Sequence, residues 1–135
     1  MDCRIMDVRS VLSHQAELGG LSIIEAQKDL LFEFKRVYYI HSVKAGEKRG
    51  HHAHKMLKQF LFCPSGSITV GLDDGERKDA VVLDDPAKGL FVGPHVWHDM
   101  TWNKDDSVLC VIASDHYAEE DYIRNYNDFL AFIKK

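Results

Sequence analysis

Arg49-Gly50-His51-His52-Ala53-His54-Lys55 carries three imidazoles in four consecutive positions. In an extended strand successive side chains alternate between faces, so residues two apart point the same way. His52 and His54 then share a face, about 7 Å apart along the strand. His51 and Lys55 fall outside that pair. Two imidazoles on one face become a chemical device only if that face looks into the protein, and the flanking residues say that it does.

On either side stand Gly46, Gln59 and Gly66. Gly46 is followed by five residues, His52, one residue, His54, four residues, Gln59, six residues and Gly66. This spacing resembles the first cupin motif, with Gln59 where that motif carries Glu. A looser second motif follows with Pro94 and His98. The resemblance implies an all-β fold, a cupin jelly-roll barrel with a C-terminal α-helix, and it puts His52, His54, Gln59 and His98 on the inner faces of one barrel.

The rest of the chain agrees with many short strands. Leu21–Glu25 follows the Gly19-Gly20 turn, and Phe32–His41 is rich in β-branched and aromatic residues. Gln59–Cys63, Ser67–Leu72, Lys78–Leu83, Gly89–Val92 and Val108–Ala113 follow, separated by Pro64-Ser65-Gly66, Asp73-Asp74-Gly75 and Asp84-Asp85-Pro86. Short strands at regular intervals with turn signals between them favour a sandwich or small barrel. The period then changes. Tyr122, Tyr126, Phe129 and Ile133 recur at helical spacing, with Glu119, Glu120 and Asp121 before them and Lys134 and Lys135 after. Acidic residues at the start and basic ones at the end suit a helix dipole, which predicts a helix over about 119–134 covering one side of the β body.

With 135 residues the chain is expected to form one domain over 1–135. The net charge of −4 gives no reason to expect nucleic acid or an anionic membrane as a partner. No apolar run approaches the roughly 20 residues that span a bilayer, and the first residues lack the apolar core of a signal peptide. Cys3, Cys63 and Cys110 are odd in number and widely spaced, which disfavours a disulfide framework and a thiolate zinc site. A reduced cytoplasmic protein is expected.

Three histidines at cupin spacing could hold zinc or iron. Divalent ions prefer imidazole together with an anionic carboxylate, however, and Gln59 is neutral. Without a metal, two imidazoles that titrate near neutral pH suit reversible proton transfer beside a carbonyl. Removing a C–H proton next to a ketone needs a placed base and a group that stabilises the enolate oxygen.

Beyond the motif, the chain resembles the sugar 3,4-ketoisomerase family of the cupins. The resemblance is carried by Lys35-Arg36-Val37-Tyr38-Tyr39-Ile40, by Arg49–Lys55, and by Gly89-Leu90-Phe91-Val92-Gly93-Pro94-His95-Val96-Trp97-His98. It continues through Ala113-Ser114-Asp115 and Asp121-Tyr122-Ile123-Arg124-Asn125-Tyr126, and so covers nearly all of the chain from about position 20. It implies an isomerase acting on a dTDP-linked 4-keto-6-deoxyhexose, with no cofactor or metal. His52 and His54 are then the catalytic pair, with His54 at the C3 proton and His52 at the sugar oxygens or C4. Arg36, Tyr39, Arg49, Gln59, Trp97 and His98 are the expected substrate-binding residues. Arg36 and Arg49 are offered to diphosphate or an enediolate oxygen, since a guanidinium matches phosphate geometry. The resemblance also implies a homodimer. Leu18-Gly19-Gly20 departs from the bulky polar residue common at that turn, which leaves the C4 configuration of the product open. Two other readings stay available: a metal-dependent cupin enzyme, dioxygenase or isomerase, and a non-catalytic nucleotide-sugar-binding module.

Overall fold

The computed structural model describes residues 1–134. In chain order its strands are β1 (Cys3–Asp7), β2 (Arg9–Leu12), β3 (Gly20–Ile23), β4 (Arg36–Ile40), β5 (Lys48–His54), β6 (Gln59–Ser65), β7 (Ile68–Asp73), β8 (Lys78–Leu83), β9 (Lys88–Val92), β10 (Trp97–Trp102), β11 (Val108–Ala113) and β12 (Tyr122–Ile123). One α-helix, α1 (Tyr126–Ile133), follows. All pairings are antiparallel. One five-stranded sheet has the order β1-β9-β6-β11-β4, and a second has the order β12-β5-β10-β7-β8. The hairpin β2–β3 stands apart as a small third sheet. This is the all-β cupin barrel with a C-terminal helix that the sequence predicts.

Strict alternation builds the core. Along β10, His98, Met100 and Trp102 are buried while Trp97, Asp99 and Thr101 are less so. Ile68, Val70 and Leu72 do the same on β7. These side chains meet Leu61, Cys63, Leu90, Val92, Leu109 and Val111 from the opposite sheet, and together they form the main apolar cluster. The outer face of the first sheet is covered differently. Phe60, Phe91 and Ile112 pack under Leu30, Phe32 and Phe34 from the segment before β4. Phe32 to Phe34 therefore serve as a loop cover and not as the start of the predicted strand. Gly89 is required beneath Phe60, because a Cβ there would sit 2.2 Å from the ring edge.

The turn at Asp73-Asp74-Gly75 forms as expected between β7 and β8. Asp73 Oδ1 accepts from Gly75 N–H at 2.7 Å, Asp74 Oδ1 accepts from Glu76 and Arg77 N–H, and Gly75 has φ +93°.

The helix needs correction. It begins at Tyr126, not near 119. The earlier acidic run is otherwise engaged: the Asp121 carboxylate accepts from the backbone N–H groups of Met56 and Leu57, and Tyr122–Ile123 pair with His54–Ala53 as β12. The true start is set by Asn125, whose side chain accepts from Asp128 N–H at 3.0 Å, the usual role of a residue just before a helix. Phe129 of α1 is fully buried with Ala53 and Ile123.

Candidate active site

The histidines gather where apolar packing stops, at one end of the barrel. β5 sets them in place through a bulge. His98 of β10 pairs with His52, but the next residue, Asp99, pairs with Gly50, so His51 is an extra residue with no partner. Gly50 adopts φ +96° and His51 φ +60° at this point. A bulge of this kind inserts one residue and re-aims its neighbours. The result is that Arg49, opposite the inward Met100, faces the same side as His52 and His54. Simple alternation would have put Arg49 with His51 instead. His51 is left exposed on the rim.

Inside, the His52 and His54 rings lie 5.1 Å apart edge to face, and His98 lies 4.7 Å from His52 and 6.1 Å from His54 between ring centroids. His54 Nδ1–H donates to Asp121 Oδ2 at 3.0 Å. His98 Nδ1–H donates to the Val96 carbonyl at 3.0 Å. Each bond fixes a tautomer and leaves Nε2 as an open lone pair. Burial pushes His52 down to about 3, helped by the neighbouring His98 and His54. Burial and His98 push His54 down to about 4, against the pull of Asp121. His98 is lowered as well, chiefly by burial. All three rings are neutral at pH 7 and can accept a proton.

Among the described residues, four buried polar atoms around this cluster have no partner: Arg36 Nε, His52 Nδ1, His54 Nε2 and Gln59 Oε1. Buried polar groups are normally paired, so four together mark a place meant for a ligand. Two open clefts reach Arg36, His52 and His54, while Gln59 borders neither. One, of about 680 Å³, is bordered by Phe32, Arg36, His54, Lys55, Leu57 and Tyr122. The other, of about 550 Å³, is bordered by Arg36, Tyr38, Lys48, Arg49, His52 and Arg124. Arg36 and Tyr122 belong to both and form the ridge between them. The second cleft is strongly cationic. Its Arg124 lies 4.1 Å above the Tyr122 ring and is held by Glu119 at 2.9 Å.

Six of the eight expected site residues meet here: His52, His54, Arg36, Arg49, Gln59 and His98. Two do not. Tyr39 points outward from β4 and is 64 % exposed; Tyr38 takes the inward place, where its hydroxyl accepts from Gln59 Nε2–H at 3.0 Å. Parity explains this, since Arg36 and Tyr38 are two apart on one strand and an inward Arg36 excludes Tyr39. Trp97 lies on the outer face of β10, against Tyr126 and Phe129 of the helix segment at 5.3 and 5.8 Å, and there it docks α1 away from the histidines. Sequence reasoning missed Asp121, Tyr122 and Arg124, because it assigned 119–134 to a helix. The signal available was the isolated Asp-Tyr-Ile-Arg-Asn run, in which Asn125 marks the later helix start.

Among the described residues, those able to hold a divalent ion are His52, His54 and His98, whose ligand nitrogens lie within 4.8 Å of one another. The fourth inward group, Gln59, offers a neutral amide oxygen.

A two-sheet antiparallel barrel with convergent imidazoles at one end defines a cupin. Within that class, this chain belongs to the family described as FdtA: WxcM-like, C-terminal, whose model matches residues 1–134. It is 45 % identical over 135 residues, all of this chain and 95 % of the relative, to a TDP-4-oxo-6-deoxy-α-D-glucose-3,4-oxoisomerase of Aneurinibacillus thermoaerophilus. It is similar to QdtA, a sugar 3,4-ketoisomerase of Thermoanaerobacterium thermosaccharolyticum solved with TDP, at 37 % identity and TM-score 0.93 over 98 % of this chain and 95 % of that one. A 3,4-ketoisomerase of Helicobacter canadensis matches at 37 % identity and TM-score 0.94, covering 100 % of this chain and 99 % of that one.

Proposed function

We propose that this protein moves the keto group between C4 and C3 of a dTDP-linked 4-keto-6-deoxyhexose through an enediol or enediolate. The observation that carries this reading is the pair of neutral, inward imidazoles, His52 and His54, with unpartnered ring nitrogens, His54 bordering one open cleft and His52 the adjoining one. The relatives support the substrate class: they are sugar 3,4-ketoisomerases, and a histidine-to-asparagine variant of QdtA was crystallised with TDP-4-keto-6-deoxyglucose.

The chemistry balances without an oxidant. A base removes the C3 proton, and that electron pair becomes the C3–C4 double bond as charge moves onto O4. Protonation at O4 and at C4, with loss of the O3 proton, leaves a ketone at C3 and a hydroxyl at C4. His54, aimed by Asp121, serves as base at C3, and His52 handles the oxygens or C4. Asp121 does for His54 what an orienting carboxylate does for other general bases: it holds the tautomer and stabilises the imidazolium that forms. Arg49 and Arg124 are suited to diphosphate and Arg36 to a sugar oxygen, while His98 and Gln59 offer contacts to the sugar.

The test is NMR with dTDP-4-keto-6-deoxyglucose in D₂O. The expected result is a 3-keto product with deuterium at C3 or C4. Binding without ring exchange would favour a non-catalytic nucleotide-sugar module. The three-histidine cluster favours one further reading, a metal-dependent cupin enzyme. Stoichiometric zinc or iron in purified protein, with activity lost on chelation and restored by the ion, would establish that reading over the metal-free one.

A homodimer, formed from one 1–135 domain per chain, is part of the proposal. The hairpin β2–β3 carries Val11, Leu12 and Leu21 in the open, and β4 is a sheet edge bearing exposed Val37 and Tyr39. Uncovered strand edges with apolar side chains invite pairing. We place the enzyme in the cytoplasm, where the free thiols Cys3, Cys63 and Cys110 stay reduced. Among the described residues no helix is long and apolar enough to cross a membrane.

A further inference from the structure

We propose that Tyr122 is a positioning residue of this reaction: its ring holds the His52 and His54 imidazoles in the orientation in which their open nitrogens face the sugar. The inference rests on the ketoisomerase reading and goes beyond it, since it concerns what keeps the two bases aimed.

The inward imidazoles are not held alike. His54 Nδ1 is tied to Asp121 and His98 Nδ1 to the Val96 carbonyl. His52 Nδ1 has no partner among the described residues. No hydrogen bond at that atom chooses the tautomer or stops the ring from turning. A half-turn of an imidazole about its bond to the chain puts carbon where nitrogen stood, and the two nitrogens are themselves distinct. What holds the His52 ring is packing. It meets His98 at 4.7 Å, Tyr122 at 5.0 Å and His54 at 5.1 Å between ring centroids, each edge to face. Such contacts are directional, because the edge of an aromatic ring is positive and its face negative. Tyr122 also lies 4.4 Å from the His54 ring, tilted by 59°. One phenol ring therefore touches both members of the pair.

Tyr122 is itself braced. In β12 it stands directly opposite His54 of β5, the cross-strand position at which side chains meet. The preceding carbonyl, that of Asp121, accepts from Lys55 N–H at 2.9 Å. Asp121 and Tyr122 are consecutive, so this short strand grips His54 by a hydrogen bond and by ring contact together. From outside, the Arg124 guanidinium lies 4.1 Å from the Tyr122 centroid. Glu119 accepts from its Nε at 2.9 Å and from a terminal nitrogen at 3.0 Å. Tyr117 packs against Tyr122 at 5.6 Å. The ring, not the hydroxyl, makes these contacts. A base turned partly away from its C–H bond binds substrate as before but takes the proton slowly, so loss of the brace appears in kcat and not in KM.

The experiment compares Tyr122→Phe and Tyr122→Leu with the wild type. Phe keeps the ring, and Leu keeps apolar bulk without it. The measurements are kcat and KM on dTDP-4-keto-6-deoxyglucose, thermal melting, and two-bond ¹⁵N–¹H spectra of the imidazoles, which report the tautomer of each ring. We expect Tyr122→Phe to stay within about three-fold of wild type in kcat. Tyr122→Leu should lose about 100-fold in kcat, with KM within about three-fold of wild type. His52 should show one tautomer in the wild type and in Tyr122→Phe, and a mixture in Tyr122→Leu. A Tyr122→Leu enzyme within about three-fold of wild-type kcat overturns the proposal. So does an equal loss in Tyr122→Phe, which would put the role on the hydroxyl, and so does a loss confined to KM, which would make Tyr122 a substrate contact. If Tyr122→Leu does not fold, Tyr122→Met takes its place with the same expectations. A wild type that binds dTDP but does not isomerise the sugar sinks the ketoisomerase reading and this inference with it. An active wild type whose His52 spectrum is unchanged in Tyr122→Leu sinks the positioning role alone.

Discussion

Asp121 shows how one carboxylate can set the chemistry of a site. It anchors the chain through the backbone N–H groups of Met56 and Leu57 and spends an oxygen on His54 Nδ1. Burial alone would leave His54 a still weaker base; the carboxylate raises it toward usefulness. Replacing Asp121 by Asn removes that charge and frees the ring to take the wrong tautomer. The expected outcome is a fall in kcat of about 10²-fold or more. The acid limb of the residual kcat/KM profile should also move to lower pH, because nothing then favours the imidazolium. A pH–rate series on both enzymes measures this, and an unmoved limb would detach Asp121 from His54. His54→Asn should abolish turnover while leaving dTDP binding intact.

The bulge in β5 is the local device that turns a histidine-rich strand into a site. Gly50 sits at φ +96° with Asp99 Cα and His98 O each 3.1 Å from where a Cβ would lie. A branched side chain is strained there both by the backbone region and by contact with rigid backbone. Gly50→Val should cost roughly 1–3 kcal/mol of stability. Activity should fall further than that loss explains, since the relative facing of Arg49 and His52 depends on the extra residue. Denaturant melts beside kinetics separate the two effects. At the other end of the chain, Asn125→Ala removes the cap of α1 and should cost about 1 kcal/mol. Its effect on catalysis should be small, because α1 packs on Trp97 and Ala53, behind the histidines.

For the molecule as a unit, the buried imidazoles tie folding to pH. His52 and His54 stand near 3 and 4 when folded, against about 6.5 in an unfolded chain. As pH falls below about 6.5 the unfolded state takes up these protons first, and stability falls with it. The contribution is complete above that pH and is lost progressively toward pH 3–4. Melting temperature should therefore drop between pH 7.5 and 5, before most carboxylates titrate, and the slope should flatten in His52→Asn. A melting temperature constant over that range would show the rings to be solvated. The open apolar hairpin carries a separate expectation. Sedimentation should report a dimer, and charged substitutions at Leu12 and Leu21, both exposed in the single chain, should shift it toward monomer.

Much of this was legible from one dimension. Short strands with turn residues at Asp73–Gly75 and elsewhere favoured a sandwich or small barrel, a period of two put His52 and His54 on one face, and the cupin resemblance added Gln59 and His98 to the inward set. That period also contained a fact left unused: an inward Arg36 required Tyr38 and not Tyr39. What sequence could not supply depends on partners distant along the chain. The Gly50–His51 bulge exists only against β10. Asp121, read as a helix start, reaches His54 across 67 positions, and Tyr122 is a strand residue only because β5 lies beside it. Local periodicity says which way a side chain faces within its own element; which groups it meets there is fixed by long-range pairing, and that is a property of the folded chain alone.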